Sequence, residues 1–239
     1  MKRLCAAQVT RSLAIFWIAS AVAAAQPVAT SDVEAILAQA HRDIRNFEKA
    51  GGKKDDPNHP VEKWVQTLWH LYEESPGKPA AAKAASEAVH LLVHANRFQE
   101  ANERADRVPP EDPAWEGLPE ILIEGASLQN DFTYVFRKLP SVLSHSNNPT
   151  IRAAIQWNLG RAWRAEKNDA KAKAAFEAAV ASAPDSSPAR QAARQLYELL
   201  HLGAGQPAPL FSATDVDRSQ VALAHYRGKP VVIVFWSST

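Results

Sequence analysis

Two histidines, His90 and His94, are the side chains whose type and spacing most directly suggest chemistry. Four residues apart on a predicted helix, they would project from one face and could bind one metal ion. The residues between them, 91–93, contain no glutamate at the position that a zinc protease uses for its general base, and no third ligand is recognisable. We therefore expect no metal site and interpret both histidines as partly buried polar residues of the helix.

Two other polar segments carry residue types that bind ions or transfer protons in other proteins. Residues 53–56, Lys-Lys-Asp-Asp, combine positive and negative charges beside two glycines. Mixed charges do not favour phosphate binding, and the acidic residues lack the spacing of a calcium-binding loop, so this segment is predicted to be a solvated loop. His225 precedes a Tyr-Arg-Gly turn and is predicted to lie on the surface. Nucleotide-binding glycine motifs and a Ser-His-Asp pattern are not recognisable, so no cofactor is expected.

Cysteine, the residue of thiol chemistry, occurs once among the 239 residues, as Cys5, and a single cysteine cannot form an internal disulfide. The 27 Lys and Arg against 26 Asp and Glu give a net charge of +1. Residues 1–25 hold Lys2, Arg3 and Arg11 and no acidic residue, which leaves 24 basic and 26 acidic residues, a net charge of −2, in the remainder. This balance predicts no binding to nucleic acid or to an anionic membrane surface.

Residues 1–25 have the features of a secretory signal peptide. A positively charged segment up to Arg11 is followed by the apolar residues 12–25, which end in three alanines. This ending fits cleavage before Gln26, which would also remove Cys5. The apolar run is about 14 residues and a membrane span needs about 20, so an uncleaved anchor is the less favoured alternative. We therefore expect export to the oxidising periplasm or beyond it, with membrane contact only through this leader.

The C-terminal residues alternate between strand and turn signals. Residues 231–236, Val-Val-Ile-Val-Phe-Trp, form an apolar run typical of a strand buried on both faces. A turn is predicted just before it at residues 227–230, which contain Gly and Pro. Residues 211–216 and 220–223 are predicted to be two short strands around a polar turn.

In order and spacing these residues resemble the opening of a thioredoxin-like domain. The branch that they resemble is the alkyl hydroperoxide reductase / thiol-specific antioxidant superfamily, with the related envelope thiol–disulfide oxidoreductases. The resemblance covers about the last 35 residues. It rests on Gly205, Pro207, Ala208, Pro209, Phe211, Val221, Leu223, the run Tyr226-Arg227-Gly228-Lys229-Pro230-Val231-Val232, and Phe235-Trp236.

The resemblance implies a reactive cysteine shortly after Trp236. In the family that cysteine, usually the first of a Cys-x-x-Cys pair, opens a helix, whose N-terminus lowers the thiol pKa. The sequence ends at Thr239, about where the cysteines are expected, so no catalytic residue is assigned. The nearest neighbours of the family's active site are Phe235, Trp236 and Thr239. Phe235 has an equally good interpretation as a core residue, and a peroxidase-type domain with one cysteine further downstream is an open alternative.

The middle of the chain is predicted to be helical. Gly, Pro and polar clusters separate segments with apolar residues at helical spacing. Pro140 is expected to kink or end one of them. The predicted helices cover residues 31–50, 60–75, 79–96, 97–108, 117–130, 132–145, 151–166, 170–183 and 187–202.

One pair of these helices resembles a tetratricopeptide repeat. The pattern consists of Leu159, Gly160, Trp163, Ala172, Phe176, Ala179 and Pro184. Small residues at Gly160 and Ala172 would let two helices approach closely. Weaker copies place Ala101 and Val135 in the same register as Ala172, at intervals of 34 and 37 residues. A stacked array would have a concave side for a protein partner; a plain helical bundle is the alternative.

These patterns predict a mainly α protein in three parts. Residues 1–25 are the signal peptide, 26–202 a tetratricopeptide-like helical domain, and 203–239 the N-terminal β portion of a truncated thioredoxin-like α/β domain. The resemblance implies a thiol–disulfide oxidoreductase or peroxiredoxin-type antioxidant acting on a protein disulfide or a peroxide. Without its cysteines this chain is expected to be inactive, and the alternative function is a non-enzymatic repeat adaptor with a vestigial tail.

Overall fold

A computed structural model describes residues 29–54, 56–234 and 236–237 of the chain. The predicted signal peptide, with Cys5, lies outside the described residues. In the described part the protein is a mainly helical array of nine α-helices followed by a small antiparallel sheet. The helices are α1 (Thr30–Lys49), α2 (Val61–Glu74), α3 (Pro79–His94), α4 (Phe98–Asp106), α5 (Leu118–Gln129), α6 (Thr133–His145), α7 (Pro149–Ala165), α8 (Asp169–Ser182) and α9 (Ser187–His201). None of these helices combines the length and apolar character needed to cross a bilayer.

Short polar side chains set the starts of the last three helices. The Asn148 side chain accepts hydrogen bonds from the backbone N–H groups of Thr150 (2.9 Å) and Ile151 (3.4 Å) at the start of α7. Asn168 and Ser186 cap α8 and α9 in the same way. Caps of this kind satisfy N–H groups that have no partner inside the helix, so the sequence determines these boundaries locally.

Three of the turns between helices have the same backbone geometry. The turns after α3, α5 and α7 each contain one left-handed residue, Asn96 (φ 60°), Asn130 (φ 52°) and Lys167 (φ 57°). The residue that follows donates its N–H to the carbonyl five positions earlier, which satisfies a carbonyl at the helix end. These bonds run from Arg97 to Leu92 (2.8 Å), from Asp131 to Ala126 (3.0 Å) and from Asn168 to Trp163 (2.8 Å).

The repeated turns share the register that the sequence predicts. Each left-handed residue lies five positions before Ala101, Val135 or Ala172, so the turns also recur at intervals of 34 and 37 residues. All three of these register residues are buried. The described structure therefore contains three helix pairs, α3–α4, α5–α6 and α7–α8, joined in one way.

Two hydrophobic cores stabilise the array. The larger one runs from α1 to α8 and includes the fully buried Trp115, whose indole N–H donates to the Pro109 carbonyl (3.0 Å). The aromatic stripe of α2 is buried in it, as predicted. The smaller core joins α7, α8 and α9 around Phe176, which packs against Trp157 with ring centroids 5.5 Å apart. Every helix therefore packs on its sequence neighbours.

Helix α6 corrects one expectation. Of the two alternatives, a kink or an end, Pro140 does not end α6, and the helix continues to His145. Pro140 is exposed, so water can hydrate the carbonyl that its missing N–H leaves free, while the buried residues Leu139 and Val142 hold both sides of the helix in the core.

The C-terminal segment begins as a hairpin. Strands β1 (Ser212–Thr214) and β2 (Gln220–Ala222) pair antiparallel, with Ala213 opposite Val221, and confirm the two predicted strands in shorter form. The Asp215 side chain organises the turn by accepting from the backbone N–H groups of Asp217 (2.9 Å) and Ser219 (2.8 Å). A short 3-10 helix, Leu223–Tyr226, follows directly.

The prediction of a doubly buried strand at residues 231–236 is wrong for the residues that the structure describes there. Val231, Val232, Ile233 and Val234 belong to no strand, and all four are exposed. A strand requires a neighbour with which to exchange backbone hydrogen bonds. The two described strands pair only with each other, so this segment has no strand partner among them.

Candidate functional site

The thioredoxin-like resemblance places Phe235, Trp236 and Thr239 nearest to an active site, but no such site is formed among the described residues. Trp236 is 84% exposed, and Phe235 and Thr239 lie outside the described residues. The only cysteine, Cys5, also lies outside them. His225 lies in the 3-10 helix and is exposed, as predicted for a surface turn. The described C-terminal residues therefore hold no nucleophilic thiol.

The predicted solvated loop at residues 53–56 is tied to the array at one point. Lys54 donates from Nζ to the carbonyl oxygen of His94 at 2.6 Å. Asp56 instead accepts from the backbone N–H of Asn58 (2.8 Å) and shapes the loop locally. Lys54 thus brings a positive charge to the C-terminal end of α3, where carbonyl groups are exposed.

His90 and His94 converge on a carboxylate of another helix. Their Nε2 atoms are 2.9 Å apart on one face of α3. Glu124 of α5 places Oε2 at 3.7 Å from His90 Nε2 and Oε1 at 3.9 Å from His94 Nε2. The potential ligand atoms of the three residues all lie within 4.8 Å of one another. We call these three residues the α3–α5 triad.

A second carboxylate lies behind the triad. Glu87, one turn before His90, places Oε2 3.5 Å from His90 Nδ1, the ring nitrogen that is not in contact with His94 Nε2. This hydrogen bond raises the pKa of His90 above its usual value, despite burial, and lowers the pKa of Glu87. Burial, followed by the charge of His90, lowers the pKa of His94. The adjacent imidazoles therefore differ in proton affinity, and one proton between them satisfies both Nε2 atoms.

A cleft of about 310 Å³ adjoins the triad at His94. It lies between α1, the loop before α2 and the end of α3. Its lining includes His41, Glu48, Lys54 and His59 as well as His94. A small polar molecule or ion could enter it beside the triad.

His59 has a structural role at the edge of this cleft. It is buried, its Nδ1 accepts from the Val61 N–H at 3.2 Å at the start of α2, and Phe47 packs edge-on at 5.2 Å. Because Nδ1 is an acceptor, the ring proton lies on Nε2, which has no hydrogen-bond partner among the described residues. Burial lowers the pKa of His59.

Helical spacing in the sequence pairs His90 with His94 but does not reveal Glu124 or the supporting Glu87. Glu124 follows His90 by 34 residues, the interval that separates Ala101 from Val135. Stacked repeats bring positions one repeat apart into proximity, so the repeat register was a signal that could have identified Glu124. No protein-family model, curated protein or solved structure gives a significant match to this chain.

Proposed function

We propose that this is an exported protein in which a repeat array that binds a protein partner precedes a thioredoxin-like domain of the alkyl hydroperoxide reductase / thiol-specific antioxidant type. The observation that carries the proposal is the order of elements after residue 205. A hairpin and a 3-10 helix lead directly into the Gly-Lys-Pro turn and the apolar run at 231–236. That order agrees with the family pattern that the sequence resembles.

The exposed apolar side chains in this segment support the same proposal. Val232 is 88% exposed, Val234 is 73% exposed and Trp236 is 84% exposed. Contiguous exposed apolar surface in a protein usually marks a surface that packs against something else. In a thioredoxin-like domain this run would be a central strand, covered on both faces by helices.

The proposed chemistry belongs to a cysteine beyond Thr239 in a longer polypeptide. Its thiolate would attack one sulfur of a substrate disulfide, forming a mixed disulfide and releasing the other sulfur as a thiolate. With a peroxide, the thiolate would instead attack one oxygen of the O–O bond and become a sulfenic acid, while the other oxygen would leave as water or an alcohol. Both reactions require the cysteine sulfur, for which the chain to Thr239 offers only Cys5 of the proposed leader.

The proposed tetratricopeptide-like character of the array is supported by its turns and by one close contact. The left-handed turns at Asn96, Asn130 and Lys167 repeat at intervals near the 34 residues of that repeat. Gly160 allows the Phe176 ring to approach the backbone of α7, which is the role proposed for a small residue there. Arrays of this type bind protein partners along a concave face.

The test is to read the coding sequence beyond codon 239 and to express the protein that it encodes. We expect an in-frame Cys-x-x-Cys, or a single cysteine, soon after Thr239, and turnover in disulfide-reduction or peroxide assays. Substitution of that first cysteine by serine should abolish turnover. A stop codon directly after codon 239 would instead support the second candidate, a non-enzymatic repeat adaptor. That candidate is favoured by the two hydrophobic cores, because all their described members lie within the array.

A further inference from the structure

We propose that His90, His94 and Glu124 bind one Zn²⁺ ion that links α3 to α5, with Glu87 orienting the His90 ring. This inference is independent of the proposed redox function, because none of the four residues lies in the C-terminal segment. It also revises the expectation from sequence that no metal site exists.

The chemistry of the donor set suits zinc. Two imidazoles and one carboxylate are a known zinc-binding combination. Because zinc is usually four-coordinate, these three ligands leave one coordination position for water or an exogenous ligand. Imidazole nitrogen is also a good ligand for copper and nickel, whereas calcium and magnesium prefer sites made of oxygen alone. The residues between the histidines provide no general base, so the geometry supports metal binding rather than peptide hydrolysis.

The observed distances are close to those of a filled site. Tetrahedral zinc with bonds of about 2.0 to 2.2 Å holds its ligand atoms about 3.3 to 3.5 Å apart. The two Nε2 atoms are 2.9 Å apart and the carboxylate oxygens are 3.7 and 3.9 Å from them. The Nε2–Nε2 separation is therefore about half an ångström short of the tetrahedral value, and the two separations to Glu124, which involve its two different oxygens, exceed that value by about 0.2 to 0.6 Å. Small rotations of three side chains would accommodate the ion.

The surroundings support a bound cation. Glu87 lies at 3.5 Å from His90 Nδ1, so it fixes the ring with Nε2 free to coordinate, as carboxylates do behind metal-bound histidines. Glu87 and Glu124 together bring two negative charges. The Lys54 ammonium is engaged with the His94 carbonyl instead of the imidazole. His94 is exposed and the other two ligands are partly buried, so an ion can reach the site from solvent.

The chain contains a matched pair for comparison. On α2, His70 Nε2 lies 3.3 Å from Glu74 Oε1, and both side chains are exposed. This pair offers one imidazole and one carboxylate at helical spacing but no second histidine in the described structure. It controls for weak binding by any surface histidine.

The experiment is a Zn²⁺ titration of the purified full chain, without a histidine tag, in competition with a chromogenic chelator. We expect one ion per chain and a saturable rise in Tm. His94→Gln and Glu124→Gln should each weaken binding at least tenfold, and Glu87→Gln about 10- to 100-fold. His70→Gln should leave the affinity unchanged. Circular dichroism of each metal-free variant verifies that it is folded.

Two results would overturn the proposal. One is the absence of saturable binding by the folded wild-type chain. The other is an equal affinity in His70→Gln, His94→Gln and Glu124→Gln, which would mean that the ion binds elsewhere on the surface. Because the His94 side chain is exposed, His94→Gln is the variant least expected to disturb folding, and it provides the decisive comparison.

Discussion

The Phe176 ring of α8 packs against the α-carbon of Gly160 in α7, so that a methyl group at that carbon would lie 2.2 Å from Phe176 Cε1. Phe176 is fully buried and also contacts Trp157 in the smaller core. The ring therefore has no free space into which it could move. This contact sets how closely α7 and α8 approach each other.

Gly160→Ala should destabilise the protein. Alanine improves helix propensity by about 1 kcal/mol, but overpacking a core costs about 1 to 3 kcal/mol and the contact here is unusually close. We expect a lower urea midpoint with an unchanged m value. Gly117→Ala is the control, because its nearest neighbour, Ser86 Oγ, is at an ordinary 3.5 Å. Combining Gly160→Ala with Phe176→Leu should cost less than the sum of the two single changes, and strict additivity would argue against the steric explanation.

Tyr72→Phe should also destabilise the array, because it removes the donor to a buried carboxylate. The Tyr72 hydroxyl donates to Asp112 Oδ2 at 3.1 Å, and Asp112 Oδ1 accepts from the Ala114 N–H at 2.9 Å. Burial, followed by the Asp112 charge, raises the pKa of Tyr72, as expected for a phenol that stays protonated as a donor. A lost hydrogen bond to a charged group costs about 1.5 to 3 kcal/mol.

Chemical denaturation measures the unfolding free energy lost in Tyr72→Phe. The control variant is Tyr197→Phe, because Tyr197 is 51% exposed. The two variants should differ clearly in unfolding free energy. Equal stabilities would show that the Tyr72–Asp112 bond contributes nothing net.

The helices were predictable from sequence because their signals are local. Asn148 before Pro149 suits the start of α7, which apolar spacing alone places two residues later, at 151, and asparagine at positions 96 and 130 suits the left-handed turns. Lys167 adopts the same conformation without any such preference. At Lys167 the packing of α8 on α7 imposes the left-handed turn. In the sequence, that turn is therefore indicated only by the repeat register and not by the residue type.

Two parts of the prediction failed because they depend on partners distant in sequence. The run at 231–236 has strand composition, but composition supplies no neighbouring strand, and residues 231–234 are exposed. Glu124 joins His90 and His94 only because α5 packs beside α3, which local spacing does not reveal. The α3–α5 triad therefore depends on the stacking of α5 beside α3, which the repeat register indicates and local spacing does not.

Stability should decrease in mild acid, in part because of His59. Its pKa is lowered by burial in the folded protein, whereas the unfolded chain has the ordinary histidine value of about 6.5. The unfolded state then binds the proton more readily, so stability is complete above pH 6.5 and falls as the pH drops toward the folded-state pKa. Protonation would also remove the Nδ1 acceptor of the Val61 N–H.

The His59 contribution is measured as the difference in unfolding free energy between wild type and His59→Asn from pH 7.5 to 5. Asparagine retains an acceptor for the Val61 N–H and does not titrate. The variant should show a shallower loss of stability in acid. Parallel curves for wild type and His59→Asn would contradict the assignment. Around His59, the charges are Glu48 and Asp56, which raise its pKa, and Arg97 and Lys54, which lower it.

The chain to Thr239 should show no thiol-dependent turnover. Its only cysteine, Cys5, belongs to the predicted leader, and no other side chain provides the sulfur nucleophile for disulfide or peroxide reduction. Insulin-disulfide reduction and hydroperoxide consumption by the purified chain should equal the blank. Turnover that survives Cys5→Ser and scales with protein concentration would refute this.

Deletion of residues 205–239 should leave the helical array intact. Among the residues that the structure describes after Ala192, none belongs to the buried part of either core, and the β1–β2 hairpin is largely exposed. A two-stranded hairpin is at best marginally stable by itself, so we expect fast amide exchange across residues 212–222 and a Tm change of less than about 2 °C on deletion. Removing exposed Val232, Val234 and Trp236 should also reduce light scattering at high concentration.

The matched control is a deletion from residue 186, which also removes α9. That change uncovers Phe176 and eliminates Ala192 from the smaller core, so it should lower Tm substantially. If the shorter deletion lowers Tm as much as the longer one, or if residues 212–222 of the monomer exchange as slowly as α7, then the C-terminal segment stabilises the array. The boundary near residue 203 would in that case not separate two independent units.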